Sequence, residues 1–350
     1  MQDIYKKMIE KIHIENFRSL RNIDLNLQKV NLLIGPNNSG KSNFLKAVKF
    51  WGKPYVSDAI LFKKAENNIV EVKVKPLNSF SAHDYSISNY KIGDSKQLIN
   101  SYFVNEGEVN EARKYVEKVH LDVEPTFLPL YSIDISKIKQ ASEVQPNIYT
   151  LNDDCSNIVS FLDNMRDERQ DIILKIEQDL KRCVKEFTGI RFKKIKNGDK
   201  YTYKKIGLTT ENGDAYWAED LSDGTLYFLA LLCIVHQPNP PKILLLEEPE
   251  NGIHPRRIKE MLDYIFDLAE DKNIQVVMTT HNTYVIDQFK DIPEAIFVFD
   301  KEGDETKVRN LQDIIDEDAA KAAKDGMPKM DLTGSLGDHW ASGLIGGVPI

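Results

Sequence analysis

Apolar residues along this chain follow two rhythms, and the places where one gives way to the other mark its elements. From Glu10 to Phe17 apolar and polar residues alternate, with Ile12 and Ile14 set between Lys11, His13 and Glu15, as on a half-buried strand. Asn22 to Leu27 alternates again, and Val30-Asn31-Leu32-Leu33-Ile34 is an apolar run that reads as a buried strand. The period then changes: Phe44, Leu45, Val48 and Trp51 fall at helical spacing, and Gly52 with Pro54 ends that helix. Ile69 to Lys75 is a further alternating strand, and Tyr85 to Ile92 and Gln97 to Val104 read as two more, separated by turn-forming residues. These three predict an antiparallel sheet beside the first core. Glu108 to Lys118 reads as helical, whereas Pro125 to Pro146 shows no usable period.

From Ser156 to Phe187, the residues Ile158, Phe161, Leu162, Met165, Ile172, Ile173, Ile176, Leu180, Val184 and Phe187 recur mainly at spacings of three and four. That spacing predicts one amphipathic helix, roughly 45 Å long at 1.5 Å per residue, stopped near Gly189. Arg191 to Lys205 reads as a basic hairpin around Asn197-Gly198. Leu226 to Val235 is an almost wholly apolar helix ending at Pro238, and Lys242 to Leu246 is a buried strand. Past Pro255, Ile258, Met261, Leu262, Ile265 and Phe266 share a helical face, and Ile274 to Thr280 is another buried strand that delivers His281 at its carboxyl end. Buried strands alternating with helices predict an α/β fold with a parallel or mixed core sheet, an antiparallel β subdomain and an inserted helical lobe. Ligands of such sheets sit at the carboxyl ends of the strands.

Composition narrows the class without naming it. With 46 Lys plus Arg against 54 Asp plus Glu, the formal charge of −8 argues against a surface that binds nucleic acid everywhere, and leaves a local basic groove open. The dense basic run is Lys193, Lys194, Lys196, Lys200, Lys204 and Lys205. No apolar stretch approaches the roughly 20 residues that span a bilayer, and the first residues lack the apolar core of a signal peptide, so a cytoplasmic protein is expected. Cys155, Cys183 and Cys233 are widely spaced, which points to buried thiols rather than a disulfide framework or structural zinc.

The chemistry begins at Gly35-Pro36-Asn37-Asn38-Ser39-Gly40-Lys41-Ser42, a G-x-x-x-x-G-K-[ST] phosphate loop between the third strand and the first helix. At a helix start the backbone N–H groups lack internal partners, so Asn37, Asn38, Ser39, Gly40 and Asn43 are placed to hold a polyphosphate by main chain. Gly35 and Gly40 let that chain approach closely, Lys41 supplies charge, and the Ser42 hydroxyl suits Mg²⁺. The strand at 242–246 ends in Glu247-Glu248, a Walker B pattern. Glu247 is expected to hold the metal or one of its waters, although most P-loop proteins carry the shorter Asp there. Glu248 is placed to orient the attacking water or accept its proton, and His281 to bond the γ phosphate or that water. ATP and Mg²⁺ are the expected ligands.

Leu221-Ser222-Asp223-Gly224-Thr225, Glu250-Asn251-Gly252-Ile253-His254-Pro255 and Thr279-Thr280-His281-Asn282 resemble, in order and spacing, the signature motif, D-loop and H-loop of ABC-type ATPase heads. Ile14-Glu15-Asn16-Phe17-Arg18-Ser19-Leu20 is similar to the first strand of SMC, RecF and OLD-type heads, and the whole set resembles AAA-type, ABC-like ATPases of bacterial anti-phage defence. The resemblance implies that Ser222, Asp223 and Gly224 contact nucleotide held by a second subunit, so that ATP joins a homodimer, and that Arg18 approaches the nucleotide. It implies a head formed by residues 1–54 and 215–311 with the strands of about 69–105, an inserted lobe and hairpin at 106–214, and a tail at 312–350. The 50 residues after Asp300 are too few for the Toprim nuclease of relatives that cut DNA. A separate effector, a nuclease, is therefore the expected partner in phage defence, with a RecF-like clamp on duplex DNA as the alternative. The tail has an acidic helical stretch, Leu311 to Lys324, then a Gly-rich segment with Trp340 that either folds back on the head or docks a partner.

Overall fold

The computed structural model describes residues 9–52, 69–76, 84–91, 97–105, 129–196, 202–326, 328 and 334–348. In chain order, β1 (Ile9–Phe17), β2 (Leu20–Asn26) and β3 (Val30–Ile34) lead into α1 (Lys41–Gly52), followed by β4 (Ile69–Pro76), β5 (Asp84–Lys91) and β6 (Gln97–Asn105). Next come β7 (Leu130–Tyr131), α2 (Ile135–Ile138), β8 (Ser142–Glu143), α3 (Ile158–Glu168), α4 (Gln170–Cys183), β9 (Gly189–Lys196), β10 (Thr202–Thr209) and β11 (Ala215–Trp217). The last third carries α5 (Asp223–Val235), β12 (Ile243–Glu247), α6 (Pro255–Asp271), β13 (Gln275–Thr279), α7 (Thr283–Asp287), β14 (Ile296–Glu302), β15 (Glu305–Asn310), α8 (Leu311–Asp325) and α9 (Leu336–Ala341). The strands expected from the alternating and apolar runs are all present. The helix expected at Glu108 to Lys118 and the Asn197-Gly198 turn lie outside the described residues.

Two units emerge: 1–130 with 242–248 and 266–350, and 131–241 with 249–265. In the first, a five-stranded antiparallel sheet runs β2-β1-β4-β5-β6. Its pleat sets Ile12 opposite Leu25 and Ile14 opposite Ile23, and all four are buried. The central sheet runs β15-β14-β3-β13-β12, with β7 at the far edge. β12, β13, β3 and β14 are parallel, and β15 returns antiparallel to β14. Ile12, Ile14 and Phe17 share one core with Leu33, Phe44, Val48, Leu245, Val277 and Phe299. The buried amide of Gln275 ties the two sheets together, accepting from Ile9 N at 2.7 Å and donating to Ile9 O at 2.8 Å. Asn31, the polar residue in an apolar strand, is fully buried and satisfied: its amide donates to Gln28 O and Val276 O and accepts from Gln28 N.

The tail belongs to the first unit and folds back on it. Ser335 caps α9, accepting from Asp338 N, and donates to the Asp287 carboxylate on α7; Gly337 N donates to the same carboxylate at 2.9 Å. Leu336, Trp340 and Ile345 are buried, and the indole N–H of Trp340 donates to Gly347 O at 3.0 Å.

In the second unit β10 pairs with β9 along its length and with β8 and β11 at its two ends. α5 is apolar all round and buried from Gly224 to Val235. One expectation fails here. The single helix from Ser156 to Phe187 is two helices, broken at Arg169, whose backbone (φ −138°, ψ 61°) leaves the helical region. The cause is readable: Arg166 to Asp171 is an unbroken polar stretch, so no apolar contact between Met165 and Ile172 holds the chain straight. Arg169 instead bonds the Asp171 carboxylate.

Candidate active site

Register in the central sheet brings the chemistry to one edge. Leu33 and Glu247 both lie beside Thr279, so the carboxyl ends of β3, β12 and β13 are level, and Thr280 N donates to Leu33 O at 3.1 Å. From those ends emerge the phosphate loop, Glu247-Glu248 and His281. The loop turns on Gly35 (φ +145°) and Gly40 (φ +111°), and both turns are enforced by neighbours. A Cβ at Gly35 would lie 2.2 Å from Phe299 O, and one at Gly40 would lie 2.2 Å from Thr306 Oγ1.

The loop opens on a cavity of about 690 Å³ lined by Ser19, residues 37–43, Lys46, Glu248, His281 and Lys301. Lys41, Lys46 and Lys301 make it cationic. Lys41 is buried and donates to Gly35 O at 2.7 Å and Pro36 O at 2.9 Å. Burial pulls its pKa down to about 8, against the pull of Glu248 and Glu247. Ser39 Oγ is buried with no hydrogen-bond partner in the protein, an open polar position inside the loop. Ser42 Oγ donates directly to Glu247 Oε1. A hydroxyl and a carboxylate meeting at the rim of a cationic cavity form an all-oxygen donor set, which fits a hard divalent cation.

Glu248 sits just past β12 in the left-handed region (φ +46°), held there by its N–H to Thr279 Oγ1 at 3.1 Å. The carboxylate lies 3.4 Å from His281 Nε2, and both side chains are part-exposed. Burial and then Lys41 lower the His281 pKa, with Glu248 opposing, so the ring is neutral at pH 7. A carboxylate and a neutral imidazole thus stand near Lys41 in one cavity.

Arg18 does not line the cavity. It donates to Asn43 Oδ1 at 3.4 Å, and Asn43 in turn faces the cavity. Ser222, Asp223 and Gly224 lie in the second unit, at the start of α5. Ser222 Oγ accepts from Thr225 N, Asp223 pairs with Lys139 at 2.6 Å, and Gly224 packs by Ile253 of the D-loop segment and Arg257 of α6. Signature and D-loop motifs are therefore neighbours within that unit. Sequence reasoning placed Thr279 only within the H-loop stretch, without its bond to Glu248 N, and missed Phe299, Thr306, Lys46 and Lys301. Only Lys46 had a local signal, one helical turn beyond Ser42.

A family model described as "AAA domain, putative AbiEii toxin, Type IV TA system" matches residues 132–287. The DNA replication and repair protein RecF of Haemophilus ducreyi is 31% identical over 121 residues, covering 32% of this chain and 30% of RecF. The energy-coupling factor transporter ATP-binding protein EcfA2 of Bacillus licheniformis is 29% identical over 94 residues, covering 27% of this chain and 32% of that protein. The chain thus spans about a third of the length of these curated relatives. Among solved structures, the Smc head bound to the C-winged helix domain of ScpA matches with a TM-score of 0.56 at 16% identity, covering 88% of this chain and 99% of that one. The Smc head with a coiled coil and joint from Pyrococcus yayanosii matches at 0.53 and 11% identity, covering 89% and 99%. The fold is that of an SMC-type ABC-ATPase head, a P-loop NTPase fold. Over about a third of its length or less, the chain is similar in sequence to RecF and to a transporter ATP-binding protein.

Proposed function

We propose that this protein binds and hydrolyses ATP with Mg²⁺ at the Gly35–Ser42 loop, dimerises on ATP, and uses that switch to regulate a separate effector, a nuclease, in anti-phage defence. The observation that carries the ATPase reading is the Ser42–Glu247 contact beside Glu248 and His281 in one cationic cavity. Lys41 leaves the Gly35 and Pro36 carbonyls to meet the β and γ phosphates, and loop N–H groups take the remaining phosphate oxygens. Ser42 and Glu247 hold Mg²⁺, which offsets charge on the phosphates. Glu248 orients the attacking water and receives its proton, and neutral His281 hydrogen-bonds the γ phosphate or that water.

Dimerisation rests on the resemblance of Ser222-Asp223-Gly224 to a signature motif that serves the partner's nucleotide. Regulation then follows as a population shift, because ATP must bind the closed dimer more tightly than the open form. Toxin–antitoxin wording in the matching family description supports the defence setting. A second reading, a RecF-like clamp on duplex DNA, is favoured by the RecF match and by Arg191, Lys193 and Lys194, exposed on β9.

Glu248→Gln tests the central claim. With ATP and Mg²⁺ it should bind nucleotide, lose hydrolysis and sediment at twice the monomer mass. A variant that stays monomeric at saturating ATP would remove the composite-site model. Salt-sensitive duplex binding by that species, with no co-purifying effector, would favour the clamp.

A further inference from the structure

Thr306, near the start of β15, is fully buried although polar. Its N–H donates to Ser19 O at 2.8 Å. Its Oγ1 lies 2.8 Å from Ser39 O and 2.8 Å from Ser19 Oγ. A hydroxyl has one proton and a carbonyl only accepts, so the Thr306 proton goes to Ser39 O and the Ser19 hydroxyl donates to Thr306. Ser19 Oγ accepts in turn from Asn43 Nδ2 at 2.9 Å. Arginine only donates, which fixes the Asn43 amide with Oδ1 toward Arg18. The bonds therefore run one way, from Arg18 through Asn43, Ser19 and Thr306 to the Ser39 carbonyl.

That carbonyl belongs to the peptide joining Ser39 to Gly40. In a trans peptide the C=O and the following N–H point oppositely, so holding Ser39 O toward Thr306 turns the Gly40 N–H away from Thr306, to the side on which Gly40 lines the cavity. The space on the Thr306 side is filled, because a Cβ at Gly40 would lie 2.2 Å from Thr306 Oγ1 and 2.9 Å from its Cγ2. We propose that Thr306 is a positioning residue of the phosphate site: it acts through the Ser39–Gly40 peptide to aim a loop N–H at bound phosphate, and it links that peptide to the Arg18–Ser19 turn. This rests on the nucleotide-binding reading of the loop.

The test is calorimetric titration of wild type, Thr306→Val and Thr306→Ser with ATP and, separately, inorganic tripolyphosphate. Valine keeps the shape and removes the hydroxyl, so affinity for both probes should fall about tenfold, the order expected for a buried carbonyl losing its donor. Serine should restore most of the affinity. Equal losses for the two probes locate the effect at the phosphates. Wild-type affinity in Thr306→Val, or a lowered melting temperature with unchanged affinity, overturns the proposal while leaving the nucleotide reading intact; absence of binding by wild type overturns both. Should the valine variant fail to fold, Ser19→Ala breaks the same chain one bond earlier. It should weaken both probes about threefold, as one neutral hydrogen bond would; unchanged affinity there overturns the proposal.

Discussion

The docking of the tail on α7 depends on a residue with no side chain. A Cβ at Gly337 would lie 2.3 Å from Thr283 O, 2.6 Å from Thr283 Cβ and 2.7 Å from Thr283 C, and two of those three atoms are backbone that cannot step aside. Gly337→Ala must therefore lift α9. Overpacking of this kind costs about 1–3 kcal/mol, and the better helix propensity of alanine returns about 0.5–1 kcal/mol. A net cost of about 1–2 kcal/mol raises the undocked population roughly five- to thirtyfold. The two bonds to follow are Gly337 N to Asp287 and the Trp340 indole to Gly347 O. Hydrogen exchange of the peptide spanning 334–348, read by mass spectrometry, should lose protection by that factor. Gly334→Ala is the matched control, since a Cβ there meets only His339 Nε2 at an ordinary 3.6 Å. Unchanged exchange in Gly337→Ala would refute the docking geometry.

Other sites give sharper tests of single forces. Asp163 and Lys204 pair at 2.5 Å in the second unit with side chains only 12% and 24% exposed. Lys204→Met should cost about 3 kcal/mol in urea unfolding by stranding the carboxylate, whereas Asp163→Leu with Lys204→Met should come close to wild type. Gly35→Ala places its Cβ against Phe299 O and should cost about 2–3 kcal/mol in thermal or urea unfolding, with nucleotide affinity lost in parallel. Lys41→Ala should abolish ATP binding by titration. In protein free of nucleotide and metal, Lys41 has a folded pKa of about 8 against 10.5 in the unfolded chain, so the unfolded chain binds more protons between those values. Stability of wild type relative to Lys41→Met should therefore rise between pH 8 and 10.5, by about 3 kcal/mol in all, and a flat difference would refute the burial of that charge.

The parts of the site legible in the sequence are those whose residues are neighbours in the chain or sit at strand ends. Gly35 to Ser42, Glu247-Glu248 and His281 each follow a run of aliphatic residues, and parallel pairing does the rest by bringing those run ends level. The break at Arg169 was legible too, had the six polar residues between Met165 and Ile172 been weighed above the overall period. Thr306 and Phe299 were not. A threonine in an alternating strand is ordinary, and a backbone carbonyl has no sequence signature at all. The tail was undetermined for a related reason: Leu336, Trp340 and Ile345 show that something must be covered, but the helix on which α9 docks is α7, nearly 50 residues earlier.

These missed contacts converge on the loop that the motif identifies. The glycine at its start is demanded by Phe299 O of β14, and the glycine at its end by Thr306 of β15. A hairpin more than 250 residues downstream therefore sets the backbone that receives phosphate. The tail reaches the same place, since a Cβ at Gly347 would lie 2.7 Å from Val298 Cγ1 and 3.5 Å from Gly35 Cα. Motion of β14, β15 or the tail must then move Gly35 or Gly40, because close-packed neighbours leave no slack to absorb it. By reciprocity, phosphate that fixes the loop must also fix the hairpin and the tail. Saturating ATP should accordingly slow hydrogen exchange across 296–310 and 334–348, and protection confined to residues 35–46 would show that the loop moves independently of both.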